Sequence, residues 1–178
     1  KGINNMQEQF SRSAGVLMPV SSLPGPYGIG TFGKKAYEFV DNLVKARQKY
    51  WQVLPLGPTS FGDSPYASFS AFAGNPYFID LDMLIEEGLL TKEFVDSKRW
   101  NIEDQYVDYG LVYNSRFEVL RVAYENSNHK ELNEYKEFFT ENEFWLEDYS
   151  LYRACKDKYE GRPWSEWDKE IKFREAET

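Results

Sequence analysis

Two apolar runs bracket an amphipathic stretch near the start of the chain, and few folds accommodate that order. The first run, AGVLMP at positions 14–19, is bounded by Ser13 and has the length and composition of a buried parallel strand. After a Pro/Gly-rich loop, Phe39, Leu43 and Ala46 recur at helical spacing with Val40 and Val44 beside them. Arg47 and Lys49 are placed in the last turn of this helix, where the negative end of the macrodipole favours cations. The second run, YWQVLPLG at 50–57, is expected to be another strand. Strand, helix and strand in succession form a right-handed βαβ unit, so the fold class is α/β with a parallel sheet covered by helices.

Beyond this unit the pattern changes. Positions 58–76 are rich in Gly, Ser, Pro and aromatic residues, and a loop of that length in a compact domain usually serves a function. A short helix is expected over 80–88, with acid at its start and Gly88 after its end. Phe117, Leu120, Ala123 and Tyr124 mark another helix. A longer one is expected to start at the capping-box pattern Thr140-x-x-Glu143, with Trp145, Tyr149, Tyr152, Cys155 and Tyr159 as a core stripe. The final EIKFREAET resembles the opening of a further helix.

Composition narrows the chemistry. The 178 residues carry a net charge of -8, which disfavours nucleic acid and anionic membranes because phosphate contacts need clustered Lys and Arg. No run of about 18 or more apolar residues suggests a membrane span, and no secretion leader is visible; a cytoplasmic location is the expectation, although the chain starts at Lys1. Cys155 is the single cysteine and is expected to be a small buried residue; it excludes an internal disulfide and a multi-thiolate metal site. His129 is the single histidine, in the polar run YENSNHKELNEY, and is expected to be a solvated surface residue. A His-based catalytic triad or a His-rich metal site is thereby excluded, and no metal or cofactor is expected. Aromatic residues make up 17% of the chain, many beside Gly, Ser, Asn or Pro, where rings suit flat apolar ligand faces.

Gly28-Ile29-Gly30-Thr31-Phe32-Gly33 has the G-x-G-x-x-G spacing of a dinucleotide-binding turn. In such folds the first strand runs almost directly into the turn, and the second strand ends in an acid that binds the ribose. Here Val20 to Tyr27, including Pro24 and Pro26, intervene, and the second apolar run ends in Leu54-Pro55-Leu56-Gly57. The glycines therefore belong to a βα loop, in which Gly permits close approach and left-handed dihedrals. A dinucleotide-binding oxidoreductase domain is left as a remote alternative.

Five blocks occur in order: SSLPGPYGIGTFG from Ser21, YWQVLPLGPTSFGDSPYASFSAFAGNPYFIDL from Tyr50, VDYGLVYNSRFEVL from Val107, FWLEDYSLYRA from Phe144, and RPWSEW from Arg162. Together they resemble the amylomaltases, also called 4-α-glucanotransferases or disproportionating enzymes. The resemblance implies the N-terminal part of a (β/α)8 TIM-type barrel with an inserted helical subdomain. The implied division is 1–58 for the N-terminal segment and first βαβ unit, 59–80 for a substrate-cleft loop, and 81–178 for the helical insertion. It also implies retaining transglycosylation of α-1,4-glucans and malto-oligosaccharides, through a covalent glucosyl-enzyme. A whole barrel takes about 250 residues, so the remainder of the polypeptide is an implied partner and the catalytic carboxylates are expected beyond Thr178. No catalytic residue is assigned within this chain; Asp80 and Asp82 are taken as helix caps.

By the same resemblance, Asp63, Ser64 and Tyr66 of the GDSPY segment match the substrate-cleft motif, with Tyr66 stacking on the sugar next to the scissile bond and Ser64 hydrogen-bonding it. On the residues alone, the competing readings are a core ring for Tyr66, which its Ser, Pro and Gly neighbours disfavour, and a turn former bonding its own backbone for Asp63. Phe61 and Tyr113 match a second glucan-binding groove, where Phe61 replaces a tyrosine; for Tyr113, packing on its own helix is the competing reading. A non-catalytic glucan-binding module is the principal alternative to the enzyme.

Overall fold

In the computed structural model, which describes residues 12–60, 62–103 and 105–175, the two apolar runs pair as a parallel sheet. Strand β1 is Gly15–Leu17 and β2 is Tyr50–Gln52, in register Gly15 to Tyr50, Val16 to Trp51 and Leu17 to Gln52. The Lys49 amide donating to the Ala14 carbonyl (2.9 Å) and the Met18 amide donating to Gln52 (3.0 Å) extend the ladder at either end. At Gly15 the backbones approach so closely that a Cβ would lie 2.6 Å from the Tyr50 carbonyl oxygen, so the position requires glycine. β2 is shorter than the expected 50–57: only β1 borders it among the described residues, and Pro55 offers no amide to a ladder.

Helix α1 (Lys34–Lys45) covers one face of the sheet. Ala36 and Leu43 are buried, the Phe39 ring meets Trp51 edge-on at 5.0 Å, and the Trp51 indole donates to the Met18 carbonyl (2.8 Å). Val20, Leu23 and Ala36 form the cluster that joins loop, helix and sheet, with Met18, Phe39, Trp51 and Val53 against it. Burial of each large apolar side chain in such a cluster contributes about 1.5–3 kcal/mol. Val40 and Val44, in contrast, are exposed. Of the cations expected in the last turn, neither Arg47 nor Lys49 is there. The helix stops at Lys45, the turn's only basic residue, because Arg47 enters the left-handed region (φ 56°) and Lys49 joins the ladder.

Three further helices complete this unit. Helix α2 (Leu81–Glu86) is capped by Asp80, whose carboxylate accepts from the Met83 amide (3.0 Å), and it is followed by Gly88 at φ 75°. Helix α3 (Lys92–Asp96) is capped by Thr91, and α4 (Tyr109–Asn126) by Asp108. Their common core is Tyr27, Leu81, Leu90, Val95, Trp100, Val119 and Ala123.

The described residues divide into two compact units between Ser127 and Asn128. In the second, helix α5 runs over Asn133–Lys158 and α6 over Lys169–Phe173. α5 begins seven residues before the expected Thr140 start. Thr140 lies inside it, and its hydroxyl donates to the Lys136 carbonyl one turn back (2.9 Å), so the capping-box spacing was fortuitous. Of the aromatic stripe only Cys155 is buried; Trp145, Tyr149, Tyr152 and Tyr159 are half-buried against neighbouring rings, with Tyr159 stacked on Trp167 at 5.6 Å. α6 ends after five residues, where Arg174 turns left-handed (φ 51°), so EIKFREAET closes a helix as well as opening one. His129 is half-buried, its ring edge-on to Tyr135 at 4.9 Å, rather than fully solvated.

Candidate functional site

Because β1 and β2 are parallel, the loops that follow them emerge at the same end of the sheet, the end where α/β folds place ligands. The first loop turns through Val20–Ser22 and is held by the Gly30 amide donating to the Ser21 carbonyl (3.0 Å). A Cβ at Gly30 would lie 2.1 Å from the Val20 carbonyl oxygen. Gly33 caps α1, and a Cβ there would meet the Asp80 carboxylate at 1.9 Å, while the Thr31 hydroxyl donates to that same carboxylate. The N-terminus of α1, where a dinucleotide fold holds pyrophosphate, is thus occupied by an acid of the chain itself. Asp80 is the cap expected of it. Asp82 is not a cap: it accepts from the buried Tyr27 hydroxyl (3.0 Å), and burial together with that carboxylate raises the Tyr27 pKa.

The loop after β2 is built on hydroxyls. Its limbs meet at a single antiparallel bridge, Thr59 to Ser68. Ser64 accepts from the Tyr66 amide (3.3 Å); Ser68 accepts from Ser70 and donates to the Ser70 carbonyl (2.8 Å); Ser70 accepts from the amides of Phe72 and Ala73. Such side-chain turns replace a regular ladder and fix an otherwise irregular backbone. At the tip, Gly62 and Asp63 both have positive φ (87° and 55°), a conformation that aspartate tolerates better than most residues.

Asp63, Ser64 and Tyr66 therefore share one loop tip. The Tyr66 side chain is out in solvent, the residue being 75% exposed, which removes the core alternative. Among the described residues, the Asp63 carboxylate accepts no hydrogen bond from its own backbone. It sits half-buried, and that partial burial raises its pKa. With Ser21, Thr59, Asn75 and Tyr109 it supplies the polar lining of a cavity of about 80 Å³ whose remaining wall is apolar, including Val20, Leu54 and Phe78. Tyr113 lies in the second turn of α4, edge-on to Phe117 at 5.2 Å yet 52% exposed, so packing and an open ring face coexist. Phe61 lies outside the described residues.

Two residues that sequence reasoning did not single out hold the loop's far end. Asn75 is 8% exposed, its side-chain oxygen accepts from the Tyr77 backbone N–H (3.0 Å), and its backbone N–H donates to the Leu56 carbonyl (2.8 Å). Arg116 of α4 is fully buried and donates to the carbonyls of Tyr77 (2.8 Å) and Ile79, with its guanidinium 5.9 Å from the Trp100 ring. Burial lowers its pKa to about 10, against a favourable contribution from Asp80, so it remains charged at neutral pH. Its position in the stripe Val112, Arg116, Val119, Ala123 was the available signal: a cation at an apolar spacing is buried only where carbonyls or acids await it.

A parallel βαβ unit whose following loops carry an exposed tyrosine and a small cavity of mixed polarity defines the class, an α/β protein with its cavity at the outgoing end of the strands. Residues 18–178 match the family model described as 4-alpha-glucanotransferase. The chain is 54% identical over 160 residues to the 4-alpha-glucanotransferase of Clostridium butyricum, covering 90% of this chain and 33% of that one. It is 44% identical over 174 residues to that of Thermus thermophilus, covering 96% and 34%. The amylomaltase from Streptococcus agalactiae in complex with acarbose superposes with a TM-score of 0.84 at 41% identity, over 94% of this chain and 34% of that one. The chain belongs to the 4-alpha-glucanotransferase family and spans about a third of the length of these relatives.

Proposed function

We propose that this chain is the N-terminal third of an amylomaltase that transfers α-1,4-glucan segments to acceptor sugars, supplying the first elements of a (β/α)8 barrel and one wall of its cleft. The observation that carries the reading is the exposed Tyr66 on a hydroxyl-braced loop at the outgoing end of the parallel strands, within a family match covering 18–178. An aromatic face against the C–H side of a glucose buries apolar area and leaves the hydroxyls free for directional bonds.

In this reading 1–58 carry the first βαβ unit, 59–80 the cleft loop and 81–178 a helical insertion. Catalysis proceeds by retaining double displacement. A carboxylate attacks the anomeric carbon while a carboxylic acid protonates the departing glycosidic oxygen; the resulting base then deprotonates the acceptor hydroxyl, which displaces the enzyme carboxylate. Both carboxyl groups belong to sequence beyond Thr178. Relatives about three times as long as this chain leave ample room for them. Ser64 and Asp63 orient the sugar that Tyr66 supports, and Tyr113, with Phe61, forms part of a second glucan groove on the surface.

Maltotriose incubated with the full-length protein should give glucose and longer oligomers in parallel, whereas residues 1–178 alone should give neither. Turnover by the isolated residues would place the carboxylates within them. Binding of maltotriose without turnover by the full-length protein would make it a glucan-binding module instead.

A further inference from the structure

The cavity beside Asp63 has a chemistry that stacking on Tyr66 does not use. The Asn75 side chain caps Tyr77 through its acceptor oxygen, since the Tyr77 backbone group is a donor; this fixes the amide orientation and leaves Nδ2 as a two-proton donor. No group among the described residues accepts from that nitrogen, although Asn75 is nine-tenths buried and lines the cavity. Asp63 lines the same cavity, its carboxylate an acceptor without a donor among the described residues. Nδ2 is not one of the sealed, partnerless polar atoms among the described residues, so it and the partly desolvated carboxylate stay open to a ligand hydroxyl that can take the place of water.

Size limits that group. On a scale where one water needs at least about 10–15 Å³, a cavity of about 80 Å³ holds a few water-sized groups and not a pyranose ring. Its lining combines apolar residues such as Val20, Leu54 and Phe78 with the polar Ser21, Thr59, Asp63, Asn75 and Tyr109. The ring hydroxyls of a glucose unit sit directly on ring carbons and cannot reach into a recess without the ring. The exocyclic hydroxymethyl group can, with a carbon for the apolar wall and a hydroxyl that donates once and accepts twice.

We propose that this cavity receives the hydroxymethyl group of one glucose unit of the glucan, its hydroxyl donating to Asp63 and accepting from Nδ2 of Asn75. The site rests on the reading of this face as a glucan cleft, and it makes Asn75 and Asp63 specificity determinants for hexose units that carry a primary hydroxyl.

The test compares maltotriose with three analogues in which one ring at a time carries a methyl group in place of the hydroxymethyl, using the full-length protein. One analogue should lose about 10- to 100-fold in kcat/KM, the range for a hydrogen bond that includes a charged partner, while the other two lose little. In Asn75→Asp, which keeps the oxygen that caps Tyr77, and in Asp63→Asn, which tolerates the positive φ, that penalty should shrink towards unity. Equal rates on all four substrates would overturn the assignment, as would an undiminished penalty in a folded variant. Should the protein not turn over maltotriose at all, the transferase reading fails separately. Calorimetric binding of the same four sugars then decides the cavity, which stands if one analogue binds about 10-fold or more weaker and falls if all bind alike.

Discussion

Asp63 occupies an uncomfortable position, half-buried with positive φ and, among the described residues, with no cation paired to its charge. Its pKa is raised by desolvation, so the folded state binds the proton more tightly than the unfolded chain does. The sign follows: the carboxylate penalises folding once the pH rises through the folded pKa, and the penalty is absent below the unfolded value of about 3.9. Asp63→Asn should therefore raise Tm at neutral pH, the gain closing as the pH falls below about 4, a comparison that thermal melts at several pH values would check. Tyr66→Ala in the full-length enzyme should lower kcat/KM by about 100-fold, because an unsupported sugar is no longer held for attack; unchanged kinetics would remove Tyr66 from the site. Arg116 sets two large effects against each other. Its ties to the carbonyls of Tyr77 and Ile79 are worth about 1–3 kcal/mol each if left unmade. Burial that brings its pKa down to about 10, however, points to a desolvation cost of roughly 3 kcal/mol, and Nε and Nη1 lack partners among the described residues. Arg116→Met should thus change global stability by less than about 2 kcal/mol in urea unfolding, while amide exchange in the Asn75–Ile79 segment accelerates. A loss above about 4 kcal/mol would show that the ties dominate.

The elements that could be read from sequence were those whose causes are local. Asp80 was legible as a cap because a carboxylate followed by an amphipathic turn and a glycine is a signal contained within nine residues, 80–88. The strand–helix–strand order was legible for the same reason. What escaped was decided at a distance. Arg116 is buried by carbonyls 37 and 39 residues away. Asp82 was assigned to its own helix and instead binds Tyr27, 55 residues earlier. Thr140 failed in the opposite sense: the pattern was local, but α5 continues through it. In the loop, the GDSPY tip was found only through resemblance, and Asn75 gave no sign in the sequence that one half of its amide would be engaged and the other not. The glycines of the first loop carry a consequence for ligands. Since the Asp80 carboxylate already sits at the head of α1 against Gly33 and Thr31, millimolar NAD should leave Tm unchanged in a thermal shift assay, and a clear rise would reopen the nucleotide reading. Gly33→Ala should dislodge that carboxylate and cost about 1 kcal/mol through the lost α2 cap, measured by denaturant unfolding.

Over the whole molecule, the sheet has only two strands among the described residues, and Leu17, Tyr50, Val40 and Val44 remain exposed around it. Open strand edges with apolar neighbours pair readily with other chains, so residues 1–178 alone should show concentration-dependent association in sedimentation, and a sharp reversible melt of a monomer would contradict this. The bond from Arg116 to the loop bears on how such proteins can be recombined. The guanidinium reaches backbone carbonyls, and so it does not depend on which side chains stand at 77 and 79, but it does depend on the path the main chain takes there. Shuffling between relatives should therefore tolerate side-chain divergence across the NPYFID segment yet penalise a crossover that joins it to a helix lacking arginine at 116. The heritable unit is then neither the loop nor the helix, but a discontinuous pair inherited together.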